Sequence, residues 1–324
     1  MTELPEGAAA FLERAGWPAT AVQPLPGDAS FRRYYRVWRN DASAMLMHAP
    51  PPHEDPAPFL HVGRWLLERE IRAPMIIAED AAQGFILLED FGDDRLRERL
   101  DVDSTVERAA YSEAVDALIA LQGHGAGPFP PYDFATYMRE VDLFVEWFCP
   151  ANGLEIDRAS WTTAWAVVLE PLLERQQPGV TVLRDYHAEN IMLPPAGGQG
   201  IIDFQDALVG HRAYDLVSLL QDARRDVAEE LEAAMLDRYI AAVQPGEDFR
   251  SDYARLGAQR NAKIIGIFAR LDRRDGKPRY LSMIPRVWEL LQRDLRHPAL
   301  RPVADWFASN IPPDIRRQGG GALP

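Results

Sequence analysis

The stretch LRDYHAENIMLPPAGGQGIIDFQDA, residues 183–207, sets Asp185, Asn190 and Asp203 around a short apolar hairpin. Its apolar runs IML and GIIDF are separated by a Pro/Gly turn, the pattern of two short strands. If residues 180–183 and 200–203 are strands ending at one edge, the three polar side chains converge. Two carboxylates and an amide oxygen are hard donors of the kind Mg²⁺ accepts, with room left for phosphate oxygens and water. Asp185 precedes Asn190 by five residues, so one group can face an incoming hydroxyl while the other grips a metal. Asp and Asn are also favoured in turns and N-caps. The joint pattern, rather than any one residue, points to phosphoryl transfer.

Outward from this stretch the chain changes character. On the N-terminal side, FRRYYRVWR (31–39) and SAMLMHA (43–49) are strand candidates separated by NDA and able to pair as a hairpin. After the Pro-rich APPPHEDPAP, residues Phe59, Val62, Gly63 and Leu66 fall on one helical face. APMIIAED and GFILLED (84–90) read as further strands. From about residue 104 the period becomes helical, with Tyr111, Ala114, Val115 and Leu118 on one face and Phe134, Tyr137, Met138, Val141, Phe144, Val145 and Phe148 on another. Trp161, Trp165, Val168 and Leu172 continue it, and helical sequence returns at 214–243, 252–270 and 284–309. The tail RRQGGGALP reads as frayed. A small strand-rich part followed by a larger helical part is an α+β chain of two lobes with a cleft between them, the first at 1–90 and the second at 91–324.

Composition narrows the function. The chain has 324 residues, 47% of them hydrophobic, enough for two lobes with a real core. Its formal charge of −14 repels a nucleic-acid backbone. Cys149, the single cysteine, can form no internal disulfide, and structural-zinc spacings are absent. No basic leader and no bilayer-length apolar run occurs, so a cytoplasmic, soluble, monomeric protein without nucleic-acid or membrane partners is expected. Lys263 and Lys277 are the two lysines; every other basic side chain is arginine.

LRDYHAEN…IIDFQDALVGHRAYDLVSLL resembles the catalytic region of the aminoglycoside phosphotransferase and choline kinase superfamily, relatives of the protein kinases. With GDASFRRYYRV (27–37), MLMHAPPPHED (45–55), LLEDFGD (87–93) and IIGIFARLDRRDGKPRYL (264–281), the chain is most similar to the bacterial kinases of N-acetylmuramate and N-acetylglucosamine that act at the anomeric hydroxyl in cell-wall recycling. The resemblance implies a bilobal protein-kinase-like fold, ATP as co-substrate and Mg²⁺. It implies Asp185 as the base, Asn190 and Asp203 as magnesium ligands, and Leu88–Phe91, including Glu89 and Phe91, as the hinge that meets adenine. Asp215 matches an aspartate that braces the catalytic loop, and Gly27, Ala29 and Ser30 of GDAS fall where backbone N–H groups meet phosphate.

Three departures qualify the match. Leu183 stands where protein kinases carry histidine, and DFG is DFQ here, with Gln205. No lysine precedes Lys263, so the strand lysine that grips nucleotide phosphates is missing and Met47 lies near its place. Arg32, Arg33 and Arg36 are candidate replacements, Arg33 foremost. His187, Asp222 and Arg270 are candidate sugar contacts, Arg270 suiting a lactyl carboxylate. Other readings are a kinase of an aminoglycoside, amino alcohol or other small hydroxyl compound, a nucleotide-binding pseudokinase, and a metal-dependent hydrolase built on His187, Asp185, Asp203 and Asp206.

Overall fold

The computed structural model describes residues 4–26 and 31–320. The first elements are α1 (Ala8–Arg14), β1 (Ala21–Pro24), β2 (Arg33–Arg39), β3 (Ala42–His48), α2 (Ala57–Leu67), β4 (Ile76–Asp80) and β5 (Phe85–Glu89). Helices α3 (Leu96–Val102), α4 (Glu107–Gly123) and α5 (Phe134–Leu143) follow, then a π-helical segment at Phe144–Phe148, the single turn α6 (Cys149–Ala151) and α7 (Arg158–Arg175). Short strands β6 (Val180–Val182), β7 (Ile191–Met192), β8 (Gly200–Ile201) and β9 (Leu208–Gly210) precede α8 (Tyr214–Leu220), α9 (Glu229–Val243) and α10 (Phe249–Arg273). The chain closes with α11 (Ile284–Asp294), α12 (Arg301–Asn310) and α13 (Pro313–Arg317).

These elements form two compact units, Met1–Ala110 with Glu189–Ala207, and Tyr111–Ala188 with Leu208–Pro324. In the first, an antiparallel sheet runs in the order β1-β2-β3-β5-β4. The expected hairpin of β2 and β3 is present, with Tyr35 opposite Leu46 and Val37 opposite Ala44. Successive side chains of a strand alternate faces, so Tyr35 and Val37, Ala44 and Leu46, and Phe85 and Leu87 share one face and pack on Phe11 and Leu12 of α1. β5 is buried on both faces, which explains its uninterrupted apolar run. The expected hinge, Leu88–Phe91, is the end of β5 and the turn after it, inside this unit.

The quoted stretch pairs differently from the expectation. β6 pairs with β9, Val182 opposite Leu208, whereas residues 200–201 pair with β7, Ile191 opposite Ile201. The IML and GIIDF hairpin is therefore real, and it belongs to the first unit. The second unit is helical around a core of Trp161, Trp165, Phe144, Phe148 and Trp288. Helical sequence expected over 214–243 breaks into α8 and α9, and 284–309 into α11 and α12. The tail read as frayed folds over its described part: α13 forms and Gly320 N–H donates to the Ile315 carbonyl.

Candidate functional site

In the second unit, Asp185 follows β6 on a loop that other elements hold. Asp215, on the first turn of α8 and fully buried, accepts hydrogen bonds from the N–H groups of Leu183 at 2.7 Å and Arg184 at 2.9 Å. That brace holds Arg184 at φ 73°, a left-handed conformation uncommon for a long side chain. Burial pushes the Asp215 carboxyl up to about 7, against the pull of the two N–H donors. Tyr186 packs inward and donates its hydroxyl to the Ala114 carbonyl at 2.8 Å.

Charge decides the state of Asp185. Burial pushes its carboxyl up, but the positive field of Lys263, then of His187, Arg260 and Arg184, outweighs this and holds it below the usual aspartate range. It is therefore a carboxylate at neutral pH. Lys263 reaches the loop from α10 and is held at 3.0 Å from Glu140 and 3.2 Å from the Tyr214 hydroxyl. Glu140 also receives Arg184 and the Tyr132 hydroxyl. Sequence reasoning missed Glu140, Arg260 and Lys263; the one signal was the scarcity of lysine, which made Lys263 conspicuous.

The candidate sugar contacts fare unequally. Asp222 is buried and accepts from the N–H groups of Arg224 at 2.8 Å and Ala188 at 3.4 Å, so its carboxylate bears on the loop's own backbone. His187 is buried, its Nε2 3.3 Å from Arg224 Nη1, and burial depresses its basicity. Arg270, in the last turn of α10, is half-buried, and its Nε has no hydrogen-bond partner among the described residues.

The first unit holds the other candidates. Asp203 follows β8 with an exposed side chain at φ 60°, and its carboxylate lies 3.5 Å from Asn190 Nδ2. The Ile202 N–H donates to the Asn190 carbonyl, and Phe204 packs on Phe59 with ring centroids 4.9 Å apart. Gln205, the departure from DFG, donates to Asp203 Oδ1 and to Asp206 Oδ2, each at 3.1 Å, and so adds a contact to the Asp203 carboxylate that a glycine could not make. With its amide turned the other way round, Asn190 would present an oxygen beside the Asp203 carboxylate. This donor set fits a hard divalent ion completed by phosphate and water. Among the described residues no group of three or more His, Cys, Asp or Glu side chains could hold a metal by itself.

Gly27, Ala29 and Ser30 lie outside the described residues. Arg33 is exposed at the start of β2. Arg36, offered above as a lysine replacement, is buried and paired with Asp90 at 2.6 Å and Asp93 at 2.8 Å, so it ties the turn after β5 to the sheet. Arg32 pairs with Glu54 at 3.0 Å. The Glu89 carboxylate is clamped by Arg72 at 2.7 and 2.6 Å, which holds it below the usual range against the effect of burial. Its N–H donates to the Met75 carbonyl. The Phe91 ring is buried under the Arg72 guanidinium and against Gly200. Glu189 pairs with Arg97. Among the described residues no helix is long and apolar enough to cross a membrane.

The chain is 37% identical, over 95% of its length and 97% of the relative's, to an N-acetylmuramate/N-acetylglucosamine kinase of Caulobacter vibrioides. It is 38% identical to the protein of the same name from Pseudomonas aeruginosa, covering 91% of this chain and 90% of the relative. Among solved structures, a streptomycin–ATP–APH(2")-IIa ternary complex superposes with a TM-score of 0.61 at 14% identity, covering 90% of this chain and 97% of that one, a likeness of fold. Residues 21–256 match the phosphotransferase enzyme family, and with those residues and these relatives the chain belongs to that family.

Proposed function

We propose that this protein is an ATP-dependent sugar kinase that phosphorylates the anomeric hydroxyl of N-acetylmuramate and N-acetylglucosamine, giving sugar 1-phosphates for peptidoglycan recycling. The observation that carries this reading is its similarity, over nearly the whole chain, to relatives that bear the name of that kinase. The ionised Asp185 on a braced loop supports the chemistry.

In this reading Asp185 accepts a hydrogen bond from the anomeric hydroxyl and orients its oxygen toward the γ-phosphorus of ATP. The bond from the sugar oxygen to phosphorus forms as the bond from phosphorus to the ADP oxygen breaks, and the hydroxyl proton passes to Asp185. An anomeric hydroxyl is more acidic than an ordinary alcohol, so a carboxylate of depressed basicity suffices if transfer is late. Asn190 and Asp203 would hold Mg²⁺, which supplies charge neutralisation for the phosphates when bound. Arg33 would supply cationic contact to phosphate in place of the missing lysine, and Glu89 and Phe91 would set the hinge backbone for adenine. Gly27, Ala29 and Ser30 would offer N–H groups to phosphate. His187, Asp222 and Arg270 would line the sugar side.

Phosphorus NMR of the protein with Mg²⁺, ATP and either sugar tests the reading. An anomeric phosphate signal split by the sugar proton, absent for Asp185→Ala, is expected. Transfer to an aminoglycoside but to neither sugar would overturn the acceptor and keep the chemistry. Nucleotide binding without transfer to any of them would favour a pseudokinase.

A further inference from the structure

Arg260 lies in the middle of α10, 4% exposed, and its Nη1 has no hydrogen-bond partner among the described residues. Its helix neighbours donate to defined acceptors. The Gln259 amide donates to the Tyr137 carbonyl at 3.1 Å, and the Asn261 amide to Gln221 at 2.8 Å and Asp294 at 3.1 Å. Lys263, three residues on and therefore on the same side of the helix, meets Glu140 at 3.0 Å. Glu140 in turn receives Arg184 of the Asp185 loop, so the side of α10 that carries Arg260 and Lys263 faces that loop, and the field of Arg260 on Asp185, Asp215 and His187 agrees with this. A buried guanidinium N–H without an acceptor is costly, and such a donor beside a reacting centre is suited to a ligand oxygen.

The chemistry of the acceptors selects the oxygen. N-acetylmuramate and N-acetylglucosamine both carry an acetamido group on the carbon next to the anomeric one. When the anomeric hydroxyl faces Asp185, the amide carbonyl of that group lies close by. The lactyl carboxylate of N-acetylmuramate sits one carbon further away and is absent from the second sugar, so it cannot be what both require. We propose that Arg260 is a specificity-determining residue that donates through Nη1 to the carbonyl oxygen of the acceptor's 2-acetamido group. The inference rests on the sugar-kinase reading above and extends it from the reaction to the recognition of 2-acetamido sugars.

The test compares N-acetylglucosamine with glucose, which has a hydroxyl in place of the acetamido group. Wild-type kcat/KM favours N-acetylglucosamine. In Arg260→Gln that preference falls by about 10- to 100-fold, the range of a lost charged hydrogen bond, because the loss on N-acetylglucosamine exceeds by that factor the loss on glucose that the missing cation beside Asp185 causes. Arg260→Lys, which keeps the cation, recovers part of it, and the KM for ATP is unchanged in both. Circular dichroism melting establishes that each variant is folded. A wild type that uses glucose as well as N-acetylglucosamine overturns the proposal with no variant needed. So does an equal loss on both sugars, which would make Arg260 a support of Asp185 instead. Transfer by the wild type to neither sugar overturns the sugar-kinase reading itself, and this inference with it.

Discussion

Asp185 stands in the field of three permanent cations, Arg184, Arg260 and Lys263, that come from two places in the sequence. Replacing it by asparagine keeps the shape and removes the proton acceptor, so kcat should fall by about 10² to 10⁴-fold with the KM for ATP little changed, as read by coupled release of ADP. Because the folded carboxyl is held below its ordinary value, the charged form persists as pH falls. The acid limb of kcat/KM should therefore lie below the ordinary aspartate value of about 3.9. For Arg33, exposed on β2, alanine should raise the KM for ATP by several-fold, and an unchanged nucleotide affinity in a binding titration would remove it from the phosphate site. Asp185, Asn190 and Asp203 stand out in the sequence as candidates because their spacing is covalent and local. Glu140, Arg260 and Lys263 do not, since a charge on a helix normally marks a solvated face and nothing in the local pattern tells that this one turns inward.

Along α10 the fold depends on small residues. A Cβ at Gly266 would stand 2.3 Å from the Leu143 carbonyl carbon and 2.5 Å from the Phe144 nitrogen, so α10 touches backbone where α5 passes into its π-helical segment. Gly266→Ala must push the two apart and should cost about 1–3 kcal/mol in urea denaturation. A Cβ at Gly257 would strike the Asp294 carboxylate, which accepts from Gln221 at 3.0 Å and Asn261 at 3.1 Å beside Glu232 and Arg293. Burial pushes the Asp294 carboxyl up to about 8. A raised carboxyl binds its proton more tightly folded than unfolded. Its contribution is therefore complete below about pH 4 and is lost as pH rises through about 8. Asp294→Asn, which cannot titrate, should flatten the decline of stability between pH 5 and 8 by up to about 1 kcal/mol per pH unit, measured as urea midpoints across that range. The same cluster explains a misread boundary. Gln221 and Asp222 continue a helical pattern in sequence, yet their side chains bond to Asn261, Asp294 and the Ala188 N–H, and the helix stops at Leu220. Strands β2 and β3 were legible as seven-residue aromatic or apolar runs on either side of a short polar break, whereas β6 and β9, three residues each, carry too little pattern to reveal each other as partners.

On the scale of the whole chain, the division into units does not follow the sequence in one cut. Residues 189–207 belong with the first unit although chain on both sides of them belongs to the second. A reading by compositional blocks assigns each stretch to one lobe in order, so an excursion of this kind escapes it, while the strand-rich and helical characters of the two parts were plain. The excursion brings Phe204 onto Phe59 and places Gly200 against Phe91. It also sets a timetable. A ribosome makes the protein from its N-terminus, so the sheet of the first unit is complete in synthesis long before the piece that closes it has emerged. Until about residue 207 is free, Phe59 and Phe91 have no native cover from that piece. The last part of the first unit to be made is also the part that carries Asn190 and Asp203, so the nascent unit cannot present its candidate magnesium ligands before α4, α5 and α7 have been translated in full.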